Sequence, residues 1–253
     1  MLDPFSSSDV NLKADERLED LQNQGYRILQ KKSGFRYGTD AVLLSDFVRL
    51  RKRDHVMDLG TGTGIIAILL AVHHPEILID AVEIQPEMAD MAIRSVLLNG
   101  LSGRVTIANM DLRRSPECFG ISAFDAVVCN PPYFREGSAL LPHDENRRIS
   151  RVESETGICE ICQCAKRLLK SGGRFSAIYP AQRMLEMMNA MEQERLMPKR
   201  VRTVHAKANR APRFVLLDAV KDGGSQLDWL PPLVLENADG TPTEEWNRIY
   251  GKE

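Results

Sequence analysis

No apolar run in this sequence is long enough to cross a bilayer. The longest, Ile65 to Val72, falls far short of the roughly 20 residues a helical span needs. The opening MLDPFSSSDV has neither the basic n-region nor the apolar h-region of a secretory leader, so the expected location is cytoplasmic. Charge of one sign is scarce as well. With 33 Lys and Arg against 35 Asp and Glu, the net charge of −2 excludes wholesale electrostatic adhesion to nucleic acid or membrane. Any polyanion must be held by local basic patches. Cysteines are few and odd in number, five in 253 residues, which disfavours a disulfide framework. Cys159, Cys162 and Cys164 cluster, but no second Cys/His pair at ligand spacing completes four ligands, and the stretch reads as small residues on a helix. No metal is expected.

What remains is the pattern of an α/β protein. Short β-rich runs, HVMDLG, LIDAVEI, VTIAN, FDAVVCN and GRFSAIYP, alternate with helix-period segments over Thr63 to Val72, Pro86 to Leu98, about Gly157 to Leu169, and Gln182 to Leu196. Such alternation builds βαβ units on a parallel sheet. RVRTVHA and RFVLLDAVKDG follow with no helix between them, which predicts an antiparallel hairpin at the sheet edge. Met184, Met187, Met188 and Met191 share one helix face and read as core. Residues 1–38 and 223–253 read as an N-terminal segment and a C-terminal tail flanking a core of 39–222.

MDLGTGTGII places a glycine turn between a strand and a helix, so backbone N–H groups face outward at a helix N-terminus. The spacing of Gly60, Gly62 and Gly64 puts Ile65 where a dinucleotide fingerprint needs its third glycine. Asp58 would repel a phosphate at this turn but suits an ammonium. S-adenosylmethionine carries an amino group and a sulfonium and no phosphate. Glu83 closes the next strand, placed for two ribose hydroxyls, and Asp111 follows the third, placed for an adenine amine. Each acid alone would read as a cap or a solvated loop residue; together they mark the ligand-binding edge of one sheet.

FDAVVCNPPYF carries the chemistry. An exocyclic amine conjugated to a ring or carbonyl is a poor nucleophile, because its lone pair is delocalised. Asn130 offers a side-chain carbonyl to one N–H of such an amine, and the Pro131 carbonyl can take the other. Pro131 and Pro132 stiffen the loop by fixing φ near −65°, and Tyr133 can stack on a planar substrate, with Phe134 beside it. No general base is needed at the start. Basic residues lie where phosphates could meet them: Arg147, Arg148 and Arg151 after the loop, and Lys207, Arg210 and Arg213 in an acid-free stretch.

DLGTGTG resembles the first motif of the Rossmann-like S-adenosylmethionine-dependent methyltransferases, a likeness covering most of Thr39 to Asp222. NPPY resembles the mark of amino methyltransferases acting on adenine N6, cytosine N4 or the side-chain amide of glutamine. GFRYGTDAVLLSDF, ISRVESE, LLKSGGRF, MPKRVRTVHAK and the tail are similar to the bacterial tRNA adenine-N6 methyltransferase family that acts beside the anticodon of a valine tRNA. In that family the segment before the first motif covers the cofactor, which implicates Tyr37, Thr39 and Asp40.

The resemblance implies a mostly parallel seven-stranded sheet with a terminal antiparallel hairpin and helices on both faces. It implies S-adenosylmethionine as cofactor, and tRNA or another structured RNA as partner, with no membrane and no obligate protein partner. The expected cofactor contacts are Tyr37, Thr39, Asp40, Asp58, Gly60, Thr61, Gly62, Gly64, Glu83, Ile84, Asp111, Leu112 and Asn130. Asn130, Pro131, Pro132 and Tyr133 form the expected catalytic loop; Phe134, Arg147, Arg151, Lys207, Arg210 and Arg213 are the expected substrate contacts. Glutamine-N5 methylation of a protein, DNA adenine methylation and a non-catalytic cofactor-binding scaffold are the alternatives. A protein-directed enzyme of this type carries a helical N-terminal docking domain, for which forty residues are too few, and a DNA enzyme carries a target-recognition insertion.

Overall fold

The computed structural model describes residues 12–21, 25–32, 38–131 and 157–251. Its centre is β3 (His55–Leu59), an apolar strand with parallel neighbours on both sides. On one side lie β4 (Leu78–Glu83) and β5 (Val105–Asn109); on the other lie β6 (Phe124–Cys129) and β7 (Leu169–Pro180). Beyond β7 the sheet turns antiparallel through β9 (Pro212–Lys221) and then β8 (Leu196–Lys207). The mostly parallel sheet with a terminal antiparallel hairpin is therefore the one the sequence pattern implied.

The strand count differs from seven. Two short strands of the tail, β10 (Asp228–Trp229) and β11 (Leu233–Glu236), both pair with β8 in parallel, giving nine strands. The physical reason is the edge: β8 runs twelve residues and would otherwise present unpaired N–H and C=O groups to solvent. A last helix, α7 (Glu244–Ile249), is capped by Thr243, whose hydroxyl accepts from the Trp246 N–H, and is tied to β8 by a two-pronged contact of Arg202 with Glu245 at 2.8 and 2.9 Å. The N-terminal segment adds a separate hairpin, β1 (Glu16–Asp20) with β2 (Arg27–Lys31).

Alternation along the strands splits the core in two. Val56, Ala126 and Val128 face α1 (Thr39–Phe47), α2 (Ile65–His73) and part of α3 (Pro86–Leu98). Met57, Leu59, Val127 and Cys129 face α5 (Ile158–Leu168) and α6 (Met184–Gln193), α4 (Ser115–Phe119) being a single turn before β6. α2 is apolar on every side because it lies between sheet and α1, and Ile65 to Ala71 are all buried. Met187 and Met191 are buried in the second core, with Met184 and Met188 packed against it, as the stripe predicts. Cys162 and Cys164 are buried there too, and burial raises both thiols, that of Cys164 to about 12. Among the described residues no group of His, Cys, Asp and Glu could hold a metal, and no helix is long and apolar enough to cross a membrane.

A charged cluster sits inside this frame. Asp218 of β9 has no exposure, receives Arg174 Nη1 at 2.7 Å and Ser176 Oγ at 3.2 Å, and lies 3.6 Å from Arg200, whose guanidinium packs over the Phe47 ring. Removing one partner of a buried pair strands the other charge. Asp218→Ala is therefore expected to cost about 3 kcal/mol or more in urea unfolding; a loss under about 1 kcal/mol would show that the cluster does not hold the sheet edge.

Candidate functional site

The strand order reverses between β3 and β6, because the helices that follow them pack on opposite faces of the sheet. A crevice at such a switch point, outside the strand C-termini, is where open α/β sheets bind ligands. Leu59 and Cys129 are register partners, so the glycine turn and Asn130 leave the sheet side by side.

Asp58 is the fourth residue of β3, with its side chain fully buried. Thr61 Oγ1 donates to its Oδ2 at 2.6 Å, while Oδ1 is buried and, among the described residues, meets no donor at full hydrogen-bond geometry. Burial pushes this carboxyl up to about 7 and the nearby Glu83 charge adds to the rise, against the hydrogen bond from Thr61 and a smaller opposing contribution from the Ala67 backbone N–H. An unsatisfied buried acceptor costs about 1–3 kcal/mol, so its retention here points to a donor from outside the chain. A cationic donor suits it best, since ionising Asp58 is what the protein alone opposes.

The glycine turn is shaped by backbone need. Gly60, Gly62 and Gly64 have φ of 74°, 59° and 89°, in the left-handed region. A Cβ on Gly60 or Gly62 would meet nothing within 4 Å, so the turn is open on that side, whereas one on Gly64 would press on Ala92 Cβ at 3.2 Å and wedge α2 from α3. The N–H groups of Gly60 and Thr61 are pinned to the Val82 carbonyl at 3.0 and 2.9 Å. Glu83, at the end of β4, accepts from the Gly62 N–H and the Gln85 N–H, each at 2.8 Å, one on each oxygen. These two contacts fix the carboxylate at the strand end, on the edge where the glycine turn lies.

Two features of this edge were not foreseen. Asn109 closes β5 and its amide donates to the carbonyls of Glu83 and Ile84, at 2.8 and 3.1 Å, clasping the β4 end. Arg113 grips Asp111 through its backbone N–H and guanidinium, at 2.9 Å for both the N–H and Nε, and holds that carboxyl below its usual range. Asp111 caps the 3-10 turn Leu112–Arg114, and Leu112 is half-buried against α5.

Asn130 follows β6 and donates its amide to Asp40 Oδ2 at 2.9 Å, joining α1 to the loop. Thr39 starts that helix on the same edge, and Pro131 is buried. The β8–β9 turn rises beyond the same strand ends: Arg210 and Arg213 are exposed, Arg213 lying over Phe214, and half-buried Lys207 reaches the Ala238 carbonyl. Tyr37, Pro132, Tyr133, Phe134, Arg147 and Arg151 lie outside the described residues.

The carboxyl of Asp58 makes a stability prediction. Its folded pKa of about 7 lies above the ordinary 3.8, so the fold disfavours the ionised form. That penalty is absent below the unfolded value, grows as pH rises, and is complete above the folded one. From pH 5 to pH 8, Asp58→Asn is expected to gain about 2–3 kcal/mol relative to the parent protein in ligand-free unfolding. A difference independent of pH would mean that Asp58 is not held neutral.

Comparison with known proteins fits this geometry. The family described as methyltransferase small domain matches residues 33–210. A relative from Porphyromonas gingivalis named tRNA1(Val) (adenine(37)-N6)-methyltransferase is 29% identical, over 88% of this chain and 90% of its own. One of the same name from Yersinia enterocolitica is 32% identical over 60% of each chain. Among solved structures, a protein described as a predicted O-methyltransferase from Agrobacterium tumefaciens superposes with a TM-score of 0.69 at 21% identity, covering 84% of this chain and 95% of that one. A match across residues 33–210 by sequence, on a sheet of the corresponding fold, makes this chain a member of the methyltransferase small domain family.

Proposed function

We propose that this protein is an S-adenosylmethionine-dependent methyltransferase that acts on N6 of an adenine in tRNA. One observation carries the reading: the buried, unpartnered oxygen of Asp58 lies on the strand next to the one that delivers Asn130. The relatives' names agree with it. When bound, the cofactor supplies an electrophilic methyl group on a sulfonium.

The chain's own groups supply position. Asp58 Oδ1 accepts from the cofactor's ammonium, and Glu83 at the end of β4 accepts from the ribose hydroxyls while the glycine turn lets the backbone approach closely. Asp111, already engaged by Arg113, shares what acceptor capacity remains with the adenine amine. Thr39, Thr61, Ile84 and Leu112 line this half, and the family resemblance adds Tyr37 as a cofactor contact. The Asn130 side-chain carbonyl and the Pro131 carbonyl each accept one N–H of the target amine, drawing its lone pair toward the methyl carbon. Once methylated, the nitrogen is acidic and loses its proton without a dedicated base. Positioning of this kind can supply roughly 7–11 kcal/mol in favourable cases. Pro132 stiffens the loop, Tyr133 stacks on the base with Phe134 beside it, and Arg147, Arg151, Lys207, Arg210 and Arg213 meet phosphates. Residues 39–222 form the catalytic core in this reading, with 1–38 and 223–253 as flanking segments and the cytoplasm as its place of work.

Methyl transfer from labelled cofactor to bulk tRNA, bulk DNA and a release factor, followed by digestion to nucleosides and amino acids, tests it. N6-methyladenosine from tRNA alone is expected, and Asn130→Ala should lower that turnover by about 100-fold or more. Label in release-factor glutamine or in DNA would overturn the substrate, and full turnover by Asn130→Ala would overturn the mechanism.

A further inference from the structure

An amide side chain is two-faced, and only one face suits the chemistry above. Asn130 must turn its carbonyl toward the target amine, yet carbonyl and NH2 are nearly equal in shape, so packing alone cannot choose between them. A rotated Asn130 would aim two N–H donors at an amine that is itself a donor. Something must set the orientation.

We propose that Asp40 is the positioning residue for Asn130, fixing the side-chain amide so that its carbonyl faces the substrate. This rests on the reading of Asn130 given above and assigns Asp40 a role other than contact with the cofactor. Asp40 Oδ2 lies 2.9 Å from Asn130 Nδ2, and Asp40 is 4% exposed. A carboxylate is an acceptor only, so at that distance the amide must present NH2 to it; the opposite orientation would set two acceptor oxygens against each other. The choice is thus made by charge and needs no help from shape. The two residues are 90 positions apart, and α1 brings Asp40 to the site on its first turn, where the helix dipole favours an acid.

The backbone beside Asp40 is fitted to the same purpose. Gly38, the residue before α1, has φ −93°, which any residue adopts, so conformation does not require glycine there. Space does. A Cβ on Gly38 would collide with Asp40 Oδ1, so the carboxylate folds back over ground that a side chain would occupy. Gly38→Ala therefore moves the carboxylate without removing it. That gives a second handle on the same contact.

The test compares Asp40→Ala, Asp40→Asn and Gly38→Ala with the parent in full-length protein, measuring kcat and KM on tRNA and S-adenosylhomocysteine affinity by calorimetry. Asp40→Ala should lower kcat by about 10–100-fold, the usual range for groups that orient a functional side chain, with little change in S-adenosylhomocysteine affinity. Asp40→Asn keeps an acceptor oxygen and should recover part of the loss, and Gly38→Ala should fall between. In an Asn130→Ala background, Asp40→Ala should cost nothing further, because the group it orients is gone. Weaker S-adenosylhomocysteine binding with kcat intact at saturation would overturn the proposal and make Asp40 a cofactor contact. So would an additive loss in the double variant. If Asn130→Ala itself keeps full turnover, the functional reading fails first, and that outcome is distinct from an Asp40→Ala variant that stays active beside a dead Asn130→Ala.

Discussion

A carboxylate buried with one oxygen unanswered is the constraint around which this molecule is organised. Asp58 sits on the central strand, with apolar neighbours along β3 and parallel strands on both sides, where water cannot repair the missing hydrogen bond. Placing an acid there raises its pKa and works against the fold. On the proposed reading the same burial makes the site selective, because a low-dielectric pocket rewards a matching ammonium far more than an exposed carboxylate would. Stability and function are in conflict at this one residue. The large core and long edge strands around it supply the reserve to tolerate that.

The sheet divides labour on either side of β3. β4 and β5 deliver Glu83 and Asp111, both acids braced by their own chain, so that side is prepared for a cationic, hydroxyl-bearing ligand. β6 delivers Asn130, and the β8–β9 turn carries exposed arginines past the same strand ends. A reaction between a cofactor methyl and a nucleobase amine needs both halves to meet at the switch point. The parallel order of β3 and β6 sets that meeting geometrically, and the Asp40 contact, by linking α1 to the loop, couples the two halves.

Much of this was legible because it rests on local rules. The apolar runs of β3 to β7, the glycine turn and the acids at strand ends each announce themselves by spacing, so the core fold could be read directly and the candidate site residues placed along one edge of the sheet. The tail strands could not. β10 and β11 have two and four residues, too short for a periodic signal, and they form because β8 offers an edge. Nor could the hairpin of the first forty residues, whose register depends on pairing and not on pattern. The Asp40 contact with Asn130 spans 90 positions, and the Asn109 clasp acts through backbone carbonyls; neither leaves a trace in spacing. Arg113 stands two residues from Asp111 in a loop, where no period applies.

Proton release on ligand binding tests the central claim most directly. S-adenosylhomocysteine carries the same ammonium, which is already fully protonated near pH 6, so any proton that leaves on binding comes from the protein. Calorimetry at about pH 6 in two buffers of different ionisation enthalpy should report release of close to one proton, as Asp58 ionises to meet the ammonium. Binding with no proton released would contradict a neutral, waiting Asp58 and with it the role given to its unpartnered oxygen.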